Sequence, residues 1–169
     1  MVDLVEIIEE EEGWGSANLG KIADTAASTT LVHVGMEKSG YLISLLACND
    51  TRIAELNQQF RGKNAATNVL SWPSEERRPD ALPQPGSKED PTELGDIAIA
   101  LETCQREAGE QGKPIKDHVT HLIVHAVLHL LGYDHEEDSD AALMESAEIA
   151  ILLQLGISDP YDLGPIDGL

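Results

Sequence analysis

One run of the chain constrains its fold more than any other: His121-Leu-Ile-Val-His125-Ala-Val-Leu-His129-Leu-Leu-Gly132-Tyr-Asp-His135. Residues four apart on an α-helix lie about 40° apart around the axis and about 6 Å along it, so His125 and His129 project side by side from one face. Gly132 can take the left-handed conformation that ends a helix, and the chain can then return His135 over the same face. Three imidazoles meeting at a point leave a fourth tetrahedral position open, the arrangement of a catalytic zinc site rather than a closed structural one. The spacing therefore predicts a metal centre made of His125, His129 and His135.

His121 lies one turn earlier on the same stripe. It is about 12 Å along the axis from His129, too far for both to hold one ion. The pair is either His121 with His125 or His125 with His129, and only the second is followed by a turn and a third histidine. His121 is expected to pack against or support a ligand, while His118 and His33 carry no signal of their own. The spacing HExxHxxGxxH of zinc metalloproteases is kept here except for its glutamate, whose place is taken by Ala126. Without that general base a peptidase loses about two to four powers of ten in rate.

Two upstream segments accompany the histidines: Phe60-Arg61-Gly62 followed by Thr67-Asn68-Val69-Leu70-Ser71-Trp72-Pro73, and Leu94-Gly95-Asp96-Ile97-Ala98-Ile99. Together with the histidine run, and in this order from about Asn49 to His135, they resemble the signature of the YbeY family of bacterial endoribonucleases and ribosomal RNA maturation factors. Ala126 stands where many members have glycine, and Asn68 where many have aspartate. The resemblance implies a single-strand-specific, metal-dependent endoribonuclease acting in small-subunit ribosomal RNA maturation and ribosome quality control. It also implies Arg61 as a catalytic residue beside His125, RNA rather than DNA as substrate, and a ribosomal protein or an assembly GTPase as partner. Arginine suits such a role because its planar fork gives two parallel hydrogen bonds to phosphate. Zinc is the expected ion, one per chain, with nickel or another transition metal also compatible with imidazole ligands. Asp134 and Asp96 are candidates for orienting an imidazole or, equally, for turns and caps; Ser71 and Tyr133 read as structural. A zinc metalloprotease-like hydrolase and a non-enzymatic ribosome assembly factor with a structural metal are the alternatives.

Charge argues against nucleic acid. Eleven basic and thirty-one acidic residues give a net −20, whereas phosphate contacts supply most non-specific affinity for RNA. The acids cluster at residues 9–12 and 136–140 and in the tail, while Arg61, Lys63, Arg77 and Arg78 lie near the signature segments. A local cation-bearing cleft on an acidic body is the expected solution, with an acidic face left for a basic partner. Cys48 and Cys104 lack CxxC spacing, the N-terminal run is acidic, and no segment reaches the length of a membrane span. The expected setting is the cytoplasm, with both thiols reduced.

Hydrophobic patterning predicts strands at 2–8, 41–48, 69–72 and 97–100. It predicts helices at 19–36, from Asp50 as cap with Ile53, Leu56 and Phe60 buried, and at 101–112, 115–131 and 139–155. These elements point to a small mixed sheet packed with about five helices, and the family resemblance implies the same: an α+β fold with the metal-binding helix behind a four-stranded sheet. One domain over residues 1–155 and an irregular tail over 156–169 complete the reading. Residues 73–91 hold five prolines and eight charged residues without periodicity, which predicts either a mobile flap or plain disorder.

Overall fold

The computed structural model describes residues 4–161. Strands β1 (Val5–Glu9), β2 (Tyr41–Cys48), β3 (Val69–Pro73) and β4 (Thr92–Ala100) form one mixed sheet in the order β1-β2-β4-β3. β1 and β4 both run parallel to β2, and β3 is an antiparallel edge strand on β4. The helices are α1 (Leu19–His33), α2 (Asp50–Arg61), α3 (Leu101–Glu110), α4 (Ile115–Leu130) and α5 (Asp138–Gln154). Most boundaries fall within a few residues of those expected. β4 is longer because it extends back through Gly95, and the predicted strand residues 2 and 3 and residues 162–169 of the predicted tail lie outside the described residues.

Period-two alternation sorts the central strands between two cores. Ile43, Leu45 and Ala47 of β2 and Ile97 and Ile99 of β4 face the large core with α1, α4 and α5. Cys48, Leu70, Ala98 and Ala100 face a smaller cluster closed by Ile53 and Leu56 of α2. α4 is apolar on nearly every side; Leu122, Val124, Val127, Leu128 and Leu130 have no exposed surface, as a helix enclosed by its neighbours should.

Three expectations change. The cap of α2 is Asn49, whose Oδ1 accepts from the Arg52 amide at 2.9 Å, while Asp50 accepts from the Thr103 amide and hydroxyl at 3.0 and 2.8 Å. Asp50 thus satisfies the first turn of α3, and its own amide donates to Glu102 Oε1 at 3.1 Å. Phe60 is not buried: it stands in the last turn of α2 and is 58% exposed. The polar stretch after β1 holds a 3-10 turn at Glu12–Ser16 that sinks Trp14 into the core, its Nε1 donating to the Cys48 carbonyl at 2.9 Å.

Residues 73–91 are a strap fastened at several points rather than a disordered loop. The Arg77 guanidinium donates to the carbonyls of Leu94 (2.8 Å), Leu130 (3.1 Å) and Glu93 (3.1 Å) and to Ser74 Oγ (2.7 Å). Further along, Tyr41 donates its hydroxyl to the Pro83 carbonyl at 2.7 Å, and the Gly86 amide donates to the Gly40 carbonyl at 2.9 Å. Backbone donors and acceptors thus replace the absent apolar periodicity.

Candidate metal centre and active-site cleft

α4 ends in a Schellman turn. Tyr133 N donates to the Leu128 carbonyl at 3.1 Å and Gly132 N to that of His129 at 3.0 Å, with Gly132 at φ +98°. Glycine is needed here twice over, because a Cβ would also lie 2.3 Å from the Arg77 carbonyl oxygen of the strap. Asp134 Oδ1 then accepts from the Glu136 amide at 3.2 Å, bending the chain that carries His135. The result is that one ligand atom from each of His125, His129 and His135 lies within 4.8 Å of the others, so the cluster could hold a metal ion. His125 and His129 bring their Nε2 atoms to 3.1 Å. Burial first, then the neighbouring His125 and His135 rings, push His129 down to about 4, which keeps its imidazole neutral and its lone pair available at pH 7.

Glu148 on α5 was invisible to sequence reasoning. Its carboxylate, 1% exposed, accepts from His125 Nδ1 at 2.6 Å and from His121 Nε2 at 3.0 Å. The bond to Nδ1 leaves His125 Nε2 facing its partner histidines, the carboxylate–histidine support that metal ligands usually have. Burial alone would raise the Glu148 carboxyl, but bonds and charge from His121 and His125 outweigh it and hold it at about 2. The only hint in the sequence was position: 148 falls on the predicted last helix, but among so many acids nothing singled it out. Asp96 is exposed and Asp134 serves the turn, so neither supports an imidazole. His121 is buried and acts through Glu148. His118 is also buried, bonded to Glu107 at 2.9 Å, and His33 pairs at the surface with Gln154 at 2.9 Å.

The three histidines open onto a cleft of about 150 Å³ whose other lining residues include Arg61, Asn68, Ser71 and Ala126. Among the described residues no carboxylate lines it, so Arg61 contributes its only fixed charge. The net −20 of the chain is therefore kept off the cleft wall. Asn68 is buried beside it, its amide donating to Glu107 Oε1 at 3.0 Å and its Oδ1 accepting from the Val69 amide at 2.7 Å.

A mixed sheet backing a helix with two histidines at ligand spacing, and a third returned by a glycine turn, is an α+β scaffold whose histidine cluster could hold a metal ion. The chain belongs to the family described as Endoribonuclease YbeY, whose sequence profile matches residues 6–156. A Cereibacter sphaeroides protein of that description is 54% identical over 95% of this chain and 100% of its own length. One from Dinoroseobacter shibae is 52% identical over 94% of this chain and 90% of its own. The solution structure of a Thermotoga maritima protein is similar over 89% of this chain and 88% of that one, at 25% identity and a TM-score of 0.59. No helix among the described residues is long and apolar enough to cross a membrane.

Proposed function

We propose that the cleft hydrolyses phosphodiester bonds of single-stranded RNA, using one transition metal held by His125, His129 and His135. The observation that carries this reading is the convergence of three imidazoles in a cleft whose fixed charge is a lone arginine. Three imidazoles with an open fourth position suit zinc, and nickel is the next candidate. When bound, such an ion supplies Lewis-acid polarisation of a phosphoryl oxygen and acidifies water.

The chain's own residues do the rest. Glu148 fixes the tautomer of His125, and α4 with the Gly132 turn holds the three rings in register. Arg61 places its fork on the non-bridging oxygens, where charge develops. Ala126, 1% exposed, offers no proton acceptor where a peptidase needs one. RNA tolerates that lack because its own 2′-hydroxyl can serve as nucleophile. The biological substrate in this reading is small-subunit ribosomal RNA in the cytoplasm. An acidic surface on a body of net −20 suits docking to a basic ribosomal protein or an assembly GTPase.

Metal-loaded protein should cut a single-stranded fragment of ribosomal RNA, and both chelation and His129→Ala should abolish cleavage. Cleavage that survives His129→Ala would remove the histidine centre from the reaction.

A further inference from the structure

Phe60 is exposed over 58% of its surface at the end of α2, and its ring meets Trp72 of β3 edge-on, centroids 5.5 Å apart at 65°. Trp72 is partly buried against the small cluster under α2, which anchors the pair. Each ring adjoins a residue of the cleft, since Phe60 precedes Arg61 and Trp72 follows Ser71. Among the described residues β3 is the edge strand, and no further strand lies beyond this border. Successive side chains on β3 point to opposite faces. Ser71 thus faces the cleft, while Trp72 points to the other face of the sheet, where the end of α2 carries Phe60 beside Arg61.

We propose that Phe60 and Trp72 form a stacking subsite for an unpaired nucleobase of the strand whose phosphate lies in the cleft; the inference rests on RNA being the substrate of that cleft. Stacking answers the charge problem. With thirty-one acids against eleven bases, few phosphates can be neutralised, so affinity has to come from a contact that needs no cation. Every base has an apolar π-face, and removing one aromatic platform weakens single-strand binding by about ten- to a hundredfold. The subsite also selects strandedness, because a base inside a duplex has both faces covered. Pre-anchoring by Trp72 lowers the ordering cost of the exposed ring.

Full-length protein is titrated with a short 2′-O-methylated oligoadenylate, which resists cleavage through the 2′ position, while tryptophan emission is followed. Trp14 is 1% exposed, so a change reports Trp72. The oligomer should quench Trp72, its duplex form should not, and affinity should fall only shallowly between about 50 and 200 mM salt. Phe60→Leu, which keeps bulk but loses the π-face, should bind about tenfold more weakly with unchanged metal content and melting temperature. Phe60→Tyr should restore binding. No binding, an unmoved emission at saturation, equal quenching by duplex, or Phe60→Leu binding within about twofold of the native protein would overturn the subsite. Cleavage of the unmethylated oligomer by metal-loaded protein is scored separately. Quenching without cleavage sinks the catalytic reading and leaves the subsite, and cleavage without quenching does the reverse.

Discussion

Tyr161 donates its hydroxyl to Glu148 Oε2 at 2.7 Å, tying a residue beyond the last helix to the carboxylate that supports His125. Its ring also stands edge-on to His121, centroids 6.1 Å apart. Residues 157–161 carry no helix or strand, yet they reach the hydrogen-bonded shell behind the histidine cluster. Glu148 thereby accepts three bonds, from His121, His125 and Tyr161, while almost wholly shielded from solvent.

That shell should be felt in metal affinity. Losing an outer partner of a ligand histidine typically weakens binding about 10- to 100-fold. Glu148→Gln should fall in that range, with Tyr161→Phe milder, in competition against a chromophoric chelator. Native affinity in both variants would show that the carboxylate supports packing alone.

The ligand set makes a sharper division. His129→Ala should abolish stoichiometric metal by elemental analysis without unfolding the protein. His121→Ala should retain most of it, because His121 reaches the cluster only through Glu148. The opposite result, metal lost from the His121 variant and kept in the His129 variant, would reverse the assignment.

Arg61→Lys should keep metal and fold yet cleave RNA more slowly, on the order of tenfold or more, since an ammonium cannot reproduce the bidentate fork. Arg61 lines the cleft from the last position of α2, and Gly62 behind it turns the chain away at φ +69°. Equal single-turnover rates for the two proteins would take Arg61 out of the reaction.

The parts of this molecule legible in its sequence were those written by local rules. Helical spacing and one glycine brought His125, His129 and His135 to the right helix and turn, and the apolar run at 41–48 gave β2. Long-range pairings were not legible. Glu148 meets His125 across 23 positions, and Arg77 meets the Leu130 carbonyl across 53. No periodicity encodes either. The attachment of the strap is illegible for the same reason: its order comes from hydrogen bonds to distant backbone. Gly95, at φ +142°, marks an irregularity in β4 where a Cβ would lie 2.3 Å from the Trp72 carbonyl. Strand propensity falls off at such a residue, so the sequence pattern marks only the last residues of β4.

Both thiols should be inert in the folded protein. Cys48 and Cys104 have no exposed surface. Burial first, then nearby carboxylates, push Cys48 up to about 12 and raise Cys104 as well. Only the thiolate reacts, so iodoacetamide at pH 8 should label neither residue until denaturant is added. Native-state labelling at the unfolded rate would contradict this packing.

Asn68 gives the last prediction. Its amide donates to Glu107 Oε1 at 3.0 Å, and the same oxygen lies 2.9 Å from His118 Nε2. Burial tends to raise the Glu107 carboxyl, but the bonds from His118 and Asn68 prevail and lower it below its ordinary 4.5. A lowered carboxyl contributes stability in full above the unfolded value, and that contribution is lost as pH falls through the folded one. The native protein should therefore lose this increment only below about pH 4.5, and Glu107→Gln should flatten that part of the acid limb. Asn68→Asp replaces the donor by a second carboxylate facing the first, and should cost about 1–3 kcal/mol at neutral pH. The deficit should shrink on acidification, because one protonated carboxyl restores the bond to the other. Urea melts of the three proteins from neutral to acidic pH provide the measurement. An Asn68→Asp deficit that stays constant or grows as the pH falls would show that the pairing with Glu107 is not what holds Asn68 in place.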